Sequence, residues 1–216
     1  MYRLLPICLL TLFLVCTPPA YAQRQAGVDS PLSGARSQDL TAPLLYPGNG
    51  SYFLLVRDFT GSNNGVNWEE ARLHAAKRQY KGRQGRLAVI DSPDLQQWIL
   101  TTFNLQQYSF GGRTWIGLRY WCRYRQLTLA NSEAYPASAF TAWDQPWARQ
   151  DGINCTVNAK LPYMGVYIEG MTGRWRAVGY KKRWPYYLVE FPVPAETARE
   201  AAAPASASGR DATAGH

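Results

Sequence analysis

The chain has 216 residues with eight tryptophans, four cysteines and a formal net charge of +8. Residues 44–192 hold 18 Lys and Arg against 10 Asp and Glu, so they carry the whole +8 (18 minus 10), and the rest of the chain sums to zero. All eight tryptophans fall in that stretch, which suits one ordinary domain with an ample core; no segment after the first 22 residues is apolar enough to span a bilayer.

In chain order, Arg3 precedes the apolar run Leu4 to Val15, and Ala20-Tyr21-Ala22 follows, the pattern of a cleavable secretory signal over residues 1–22. Cys16 offers a lipoprotein alternative, but Val15 is bulkier than the small residue usual before a lipidated cysteine. The ending favours a bacterial or similar export signal, with the periplasm or the exterior as destination. Residues 23–43 read as a flexible leader, and residues 193–216, rich in Ala, Ser and Gly, as a disordered tail. Removal of the signal leaves Cys122 and Cys155, which in an oxidising compartment read as one disulfide, with two buried free thiols as the alternative.

Within residues 44–192 the first strand is expected at Tyr52–Val56, followed by a loop over Gly61 to Gly65. Asn67 with Glu70 three residues on makes a capping box; the helix it starts carries Trp68, Ala71 and Ala75 on one face and should run to about Tyr80. Leu87–Ile90 is a short apolar strand. Ser92-Pro93-Asp94 supplies a cap, a first-turn proline and an acid for a second helix with Leu95, Trp98, Ile99 and Phe103 at helical spacing. Further strands are expected at Trp115–Leu118, Met164–Glu169, Arg174–Val178 and Tyr186–Phe191, with a long irregular loop over about 119–163. Helices early and strands late indicate an α+β domain.

The order of these segments resembles the C-type lectin-like family. The carriers are Trp68 with Ala71, Leu87-Ala88-Val89-Ile90-Asp91-Ser92, Trp115-Ile116-Gly117-Leu118, Phe140-Thr141-Ala142-Trp143 before Pro146, Gly173-Arg174-Trp175, and Tyr187-Leu188-Val189-Glu190. The resemblance implies a C-type lectin-like fold with two helices, a small antiparallel sheet and a long-loop region that binds ligands. The departures are as informative. The family's usual cysteine positions hold Ala75 and Val189, and a second pair is missing near Val166 and Gly179. The triplet that supplies calcium ligands in the family reads Gln145-Pro146-Trp147, and Trp175 is followed by Arg176 and Ala177 rather than Asn and Asp. Calcium needs six to eight oxygen ligands, so the conventional site is read as absent, with a cation, Arg176, in its place. Asp144, Asp151 and Glu169 stay open as another arrangement.

No cofactor or metal is therefore expected. The expected ligand face comprises Gln145, Trp147, Arg149, Asn154, Trp175 and Arg176, since aromatic faces stack on sugar rings and arginine forks pair with carboxylates, phosphates and sulfates. The competing reading makes the loop aromatics, Trp121 and Trp143 above all, a satellite core. Two further basic groups, Lys77, Arg78, Lys81, Arg83 and Arg86, and Lys181, Lys182 and Arg183, would together attract an anionic surface. His74 is the domain's single histidine, and no carboxylate pair, serine elbow or metal-ligand spacing accompanies it, so catalysis is not expected. The reading is an exported binding module for a glycan, an anionic polysaccharide or lipopolysaccharide. A protein partner or an envelope-assembly role is the alternative, and nucleic acid is the least favoured ligand, given export.

Overall fold

The computed structural model describes residues 37–60, 64–144 and 163–194. In order these form β1 (Ser37–Asp39), β2 (Leu44–Leu45), β3 (Tyr52–Asp58), α1 (Trp68–Ala76), β4 (Gln79–Tyr80), β5 (Arg83–Gln84), β6 (Arg86–Leu87), α2 (Pro93–Phe103), β7 (Thr114–Trp121), β8 (Gln126–Leu129), β9 (Met164–Glu169), β10 (Arg174–Gly179) and β11 (Tyr186–Phe191). The main sheet runs β1-β3-β11-β7-β9-β10, with β2 beside β3, β6 beside β11 and β8 beside β7. Among the strands of the described residues β11 and β7 pair in parallel and the other ladders are antiparallel.

Tyr52–Val56 in β3 and Tyr186–Val189 in β11 read as apolar runs because helices cover both faces of the sheet. Phe53 and Leu55 face α2, packing with Leu95, Ile99, Phe103, Ile116 and Leu188. Leu54 and Val56 face α1, packing with Trp68, Ala71, Ala75, Trp115 and Val189. Ala75 and Val189 both belong to this second core.

Both helix starts follow the local sequence. The Asn67 side chain accepts from the Glu70 amide at 2.9 Å and Glu70 Oε2 accepts from the Asn67 amide at 3.1 Å, a reciprocal capping box. Ser92 caps α2 by accepting from the Leu95 amide, Pro93 occupies its first turn, and Asn104 ends it in the left-handed region at φ 45°.

Four expectations need correction. Helix α1 stops at Ala76 rather than near Tyr80, because Lys81 (φ 48°) and Gly82 (φ 73°) turn the chain into the β4–β5 hairpin. The expected strand Leu87–Ile90 keeps ladder pairing only at β6; beyond it, Ala88 is bonded singly, donating to Leu188 O and accepting from Gly117 N. The supposed leader is partly ordered: Ser37–Asp39 pairs with Val56–Asp58, and the Leu40 amide donates to Leu55 O. The first part of the supposed irregular loop is regular, since β7 continues to Trp121 and turns back into β8.

Gly117 shows why a larger residue at the third position of the Trp-Ile-Gly-Leu run would force the backbone to shift. A Cβ there would lie 2.5 Å from Leu87 O, where the β6 segment crosses β7.

Candidate functional site

A cleft of about 620 Å³ opens beside the β7–β8 hairpin. Tyr120 from β7 and Trp143 supply aromatic walls, Leu127 and Ala177 apolar ones, and Arg125, Gln126 and Thr141 polar groups. The size falls in the range of about 300–1,000 Å³ typical of small-molecule sites, and the mixture of apolar walls with few polar groups is usual for them.

The far wall is held rigidly. Tyr135, 8% exposed, donates its hydroxyl to Phe140 O at 2.8 Å and lies 3.2 Å from Ile90 O, tying the 134–143 segment to the α2-side core. Burial, with the Asp91 charge adding to it, pushes the Tyr135 phenol up to about 12. Trp143 pairs with Trp175 as a parallel bridge, the Trp175 amide donating to Ala142 O and the Asp144 amide to Trp175 O. The rings of Phe140 and Trp143 meet the Trp175 indole edge to face at 5.7 and 5.8 Å. Trp175 is fully buried, which corrects its expected place on the ligand face: it is the post on which the two loop aromatics stand.

Next to this bridge, Asp144 and Arg176 enter an ion cluster. Arg176 Nε donates to Asp144 Oδ2 at 2.7 Å, and its Nη1 donates to Glu169 Oε2 at 3.3 Å. Arg113 Nε also donates to Glu169 Oε2, at 3.1 Å, while its guanidinium lies 4.6 Å from the Trp184 ring centroid. Glu169 is 7% exposed in its side chain, so two guanidiniums neutralise a nearly buried carboxylate. The expectation of a cation beside Trp175 becomes concrete: two carboxylates that were candidates for an ion both accept from Arg176. Among the described residues no cluster of three or more His, Cys, Asp or Glu could hold a metal ion.

Gln145, Trp147, Arg149, Asp151, Asn154 and Cys155 lie outside the described residues. Cys122, half-buried, packs against the α2-side core at the start of the β7–β8 turn. Trp121, half-buried, donates from its indole to Thr128 Oγ1 at 3.0 Å, in keeping with the satellite-core reading of the loop aromatics.

The two basic groups are mostly engaged by partners within the domain. Arg78 is buried and bonds Asp39 Oδ1 at 2.6 Å, Arg86 bonds Glu190, Arg83 bonds Gly50 O, and Lys81 lies against the Tyr52 ring. Arg183 pairs with Glu70, and Lys182 lies over Trp184. Most of these charges hold the domain's own elements together. His74 is likewise engaged, its Nδ1 2.8 Å from Asp58 Oδ2.

Gln126, Leu127 and Thr141 were not singled out from the sequence as cleft residues. The signal available was the apolar–polar alternation of Gln126-Leu127-Thr128-Leu129 after the polar turn Arg123-Tyr124-Arg125, a hairpin pattern.

No protein-family model and no curated protein matches the chain. Solved structures do. Human lithostathine is similar at a TM-score of 0.50 with 14% identity, covering 70% of this chain and 97% of that one. CEL-IV gives a TM-score of 0.49 with 18% identity over 71% of this chain and 95% of that chain. The C-type lectin CEL-I from Cucumaria echinata gives 0.47 with 16% identity over 69% and 96%. Identities this low speak to the fold alone.

Proposed function

We propose that this chain is an exported, non-catalytic binding module that holds a glycan or other anionic cell-surface ligand without calcium, on a scaffold whose two helices and sheet form an α+β, C-type lectin-like fold. The observation that carries the binding reading is the cleft of about 620 Å³ with Tyr120 and Trp143 as aromatic walls and Arg125 as a cation at its edge. Sugar rings stack on such faces, and a guanidinium pairs with carboxylate, sulfate or phosphate substituents.

Calcium independence is supported by Arg176, whose guanidinium engages Asp144 and Glu169 together. Export rests on the first 22 residues alone. The same oxidising destination supports a Cys122–Cys155 disulfide tying the long loop to the β7–β8 hairpin.

The test is glycan-array and lipopolysaccharide binding by the wild-type chain and by Trp143→Ala, each with and without chelator. The reading expects binding that survives chelation and is lost in the variant. Binding abolished by chelation would overturn the calcium-independent part, and full binding by the variant would overturn the cleft.

One observation favours a protein partner as a second reading. Phe110 (47% exposed) and Met171 (66% exposed) flank Gly111, whose Cβ position lies 3.8 Å from Met171 Cγ, so two large apolar side chains share one exposed corner.

A further inference from the structure

A second, smaller pocket of about 190 Å³ lies between α1 and the β7–β8 hairpin and shares no lining residue with the cleft. Its polar walls are Arg72, Arg86 and Asn131, over a floor that includes Leu87, Val89 and Leu129. No carboxylate lines it.

What these walls present is donors. Arg72 uses Nε and Nη2 on Glu69, and Arg86 uses Nε and Nη2 on Glu190 at 3.1 Å each. Asn131 uses its oxygen, accepting from the Glu133 amide at 3.1 Å, so its NH₂ is left to donate. The Nη1 of each arginine and the Asn131 amide nitrogen have no partner among the described residues.

A further cation stands behind this wall. Arg119 is 9% exposed and forms no ion pair among the described residues; its Nη2 donates to Ser132 Oγ, next to Asn131, and its buried Nε has no partner. The rings of Trp68, Trp121 and Tyr163 box it at 5.3, 5.1 and 5.5 Å. Ring faces offset part of the cost of burying a guanidinium, but they add no negative charge. Of these cations only Arg72 and Arg86 line the pocket, each already holding one carboxylate, Glu69 and Glu190, through Nε and Nη2.

The geometry points to an oxyanion site: this pocket takes one carboxylate or sulfate group of an acidic sugar unit, separately from the cleft. Donors without acceptors and an apolar floor fit an anionic group on a sugar ring. Drug-sized ligands fill about 300–1,000 Å³, so a pocket below that range suits a single ring.

The test uses the full chain and reads the thermal midpoint at constant ionic strength. One arm replaces chloride by inorganic sulfate; the other titrates glucuronate, with glucose as the neutral control. The wild type should show saturable stabilisation by sulfate and glucuronate and none by glucose. Asn131→Asp keeps the acceptor for the Glu133 amide and adds a negative charge to the wall. It should raise both midpoint concentrations by about tenfold or more, as a like charge at close range does in a half-exposed site. Arg72→Gln gives up only a half-exposed i,i+3 ion pair and should weaken both as well. Trp143→Ala, in the other cavity, should leave them unchanged. A sulfate response no larger than that of chloride overturns the inference, as does an Asn131→Asp variant that folds and titrates like the wild type. Loss of glucuronate binding in Trp143→Ala but not in Asn131→Asp assigns the anion to the cleft and overturns it too, whereas a cleft that binds nothing leaves it standing.

Discussion

Replacing Arg176 by methionine keeps the apolar stem and removes the guanidinium that joins Asp144 to Glu169. Three contacts go: Nε and Nη2 to Asp144 at 2.7 and 2.6 Å, and Nη1 to Glu169 at 3.3 Å. Hydrogen bonds between charged groups contribute about 1.5–3 kcal/mol when well shielded. The Arg176 side chain is 34% exposed, so solvent screening reduces that to about 1 kcal/mol. Glu169 keeps Arg113, which limits the damage on the buried side. For a domain of this size about 1 kcal/mol is a fall of roughly 3 °C in the thermal midpoint. Scanning calorimetry of both proteins, with millimolar calcium and with chelator, reads this directly. The wild type should show the same midpoint in both conditions. The variant should start lower, and calcium should recover part of the loss, because two carboxylates no longer share a guanidinium. A wild type that loses stability on chelation would refute the reasoning, and so would a variant as stable as the wild type and indifferent to calcium.

Three other outcomes follow from the same structure. Asp58, with its side chain 1% exposed, is held below the ordinary 3.8: burial pushes its pKa up, but bonds from His74 and Thr60 outweigh that. Its contribution is present above pH 3.8 and lost as pH falls through the lower folded value, so Asp58→Asn should flatten the acid limb of a urea-midpoint profile; equal acid limbs would count against this. Tyr135 and Tyr187 are both raised by burial to about 12 from 10.0, so the folded state binds more protons than the unfolded one between those values, and stability should fall as pH rises from 10 to 12. Two phenols that ionise at about 10 with the fold intact, read by absorbance at alkaline pH, would contradict it. Gly117→Ala should cost about 2–3 kcal/mol by overpacking, because its Cβ would meet Leu87 O at 2.5 Å; a denaturant midpoint within error of the wild type would show that the crossing can relax.

The elements that the sequence made legible are those encoded within a few residues. Asn67 with Glu70, and Ser92 with Pro93, place two helix starts correctly because capping needs only the first turn. The apolar runs at Tyr52, Met164 and Tyr186 fall on β3, β9 and β11, whose burial on both faces leaves no polar alternation to misread. Helix α1 ends short of its expected end near Tyr80 because the positive φ of Lys81 and Gly82, which turns the chain into a hairpin, leaves no mark in the helical spacing.

The candidate site was legible only in part. Residue type alone marked Arg176 as a cation beside Trp175, and the structure places it between Asp144 and Glu169, 32 and 7 residues away in the chain. Type alone also put Trp175 on the ligand face, whereas the sheet packs it under Phe140 and Trp143. Whether an aromatic ring is a wall or a post depends on which segments cover it, and no local pattern records that. By itself the sequence determined caps, core runs and a net charge of +8. Only the tertiary structure decided how those charges are distributed. Most of those described hold the domain's own carboxylates and rings, and Arg72, Arg86 and Asn131 come together to line a pocket beside α1, β6 and the β7–β8 hairpin.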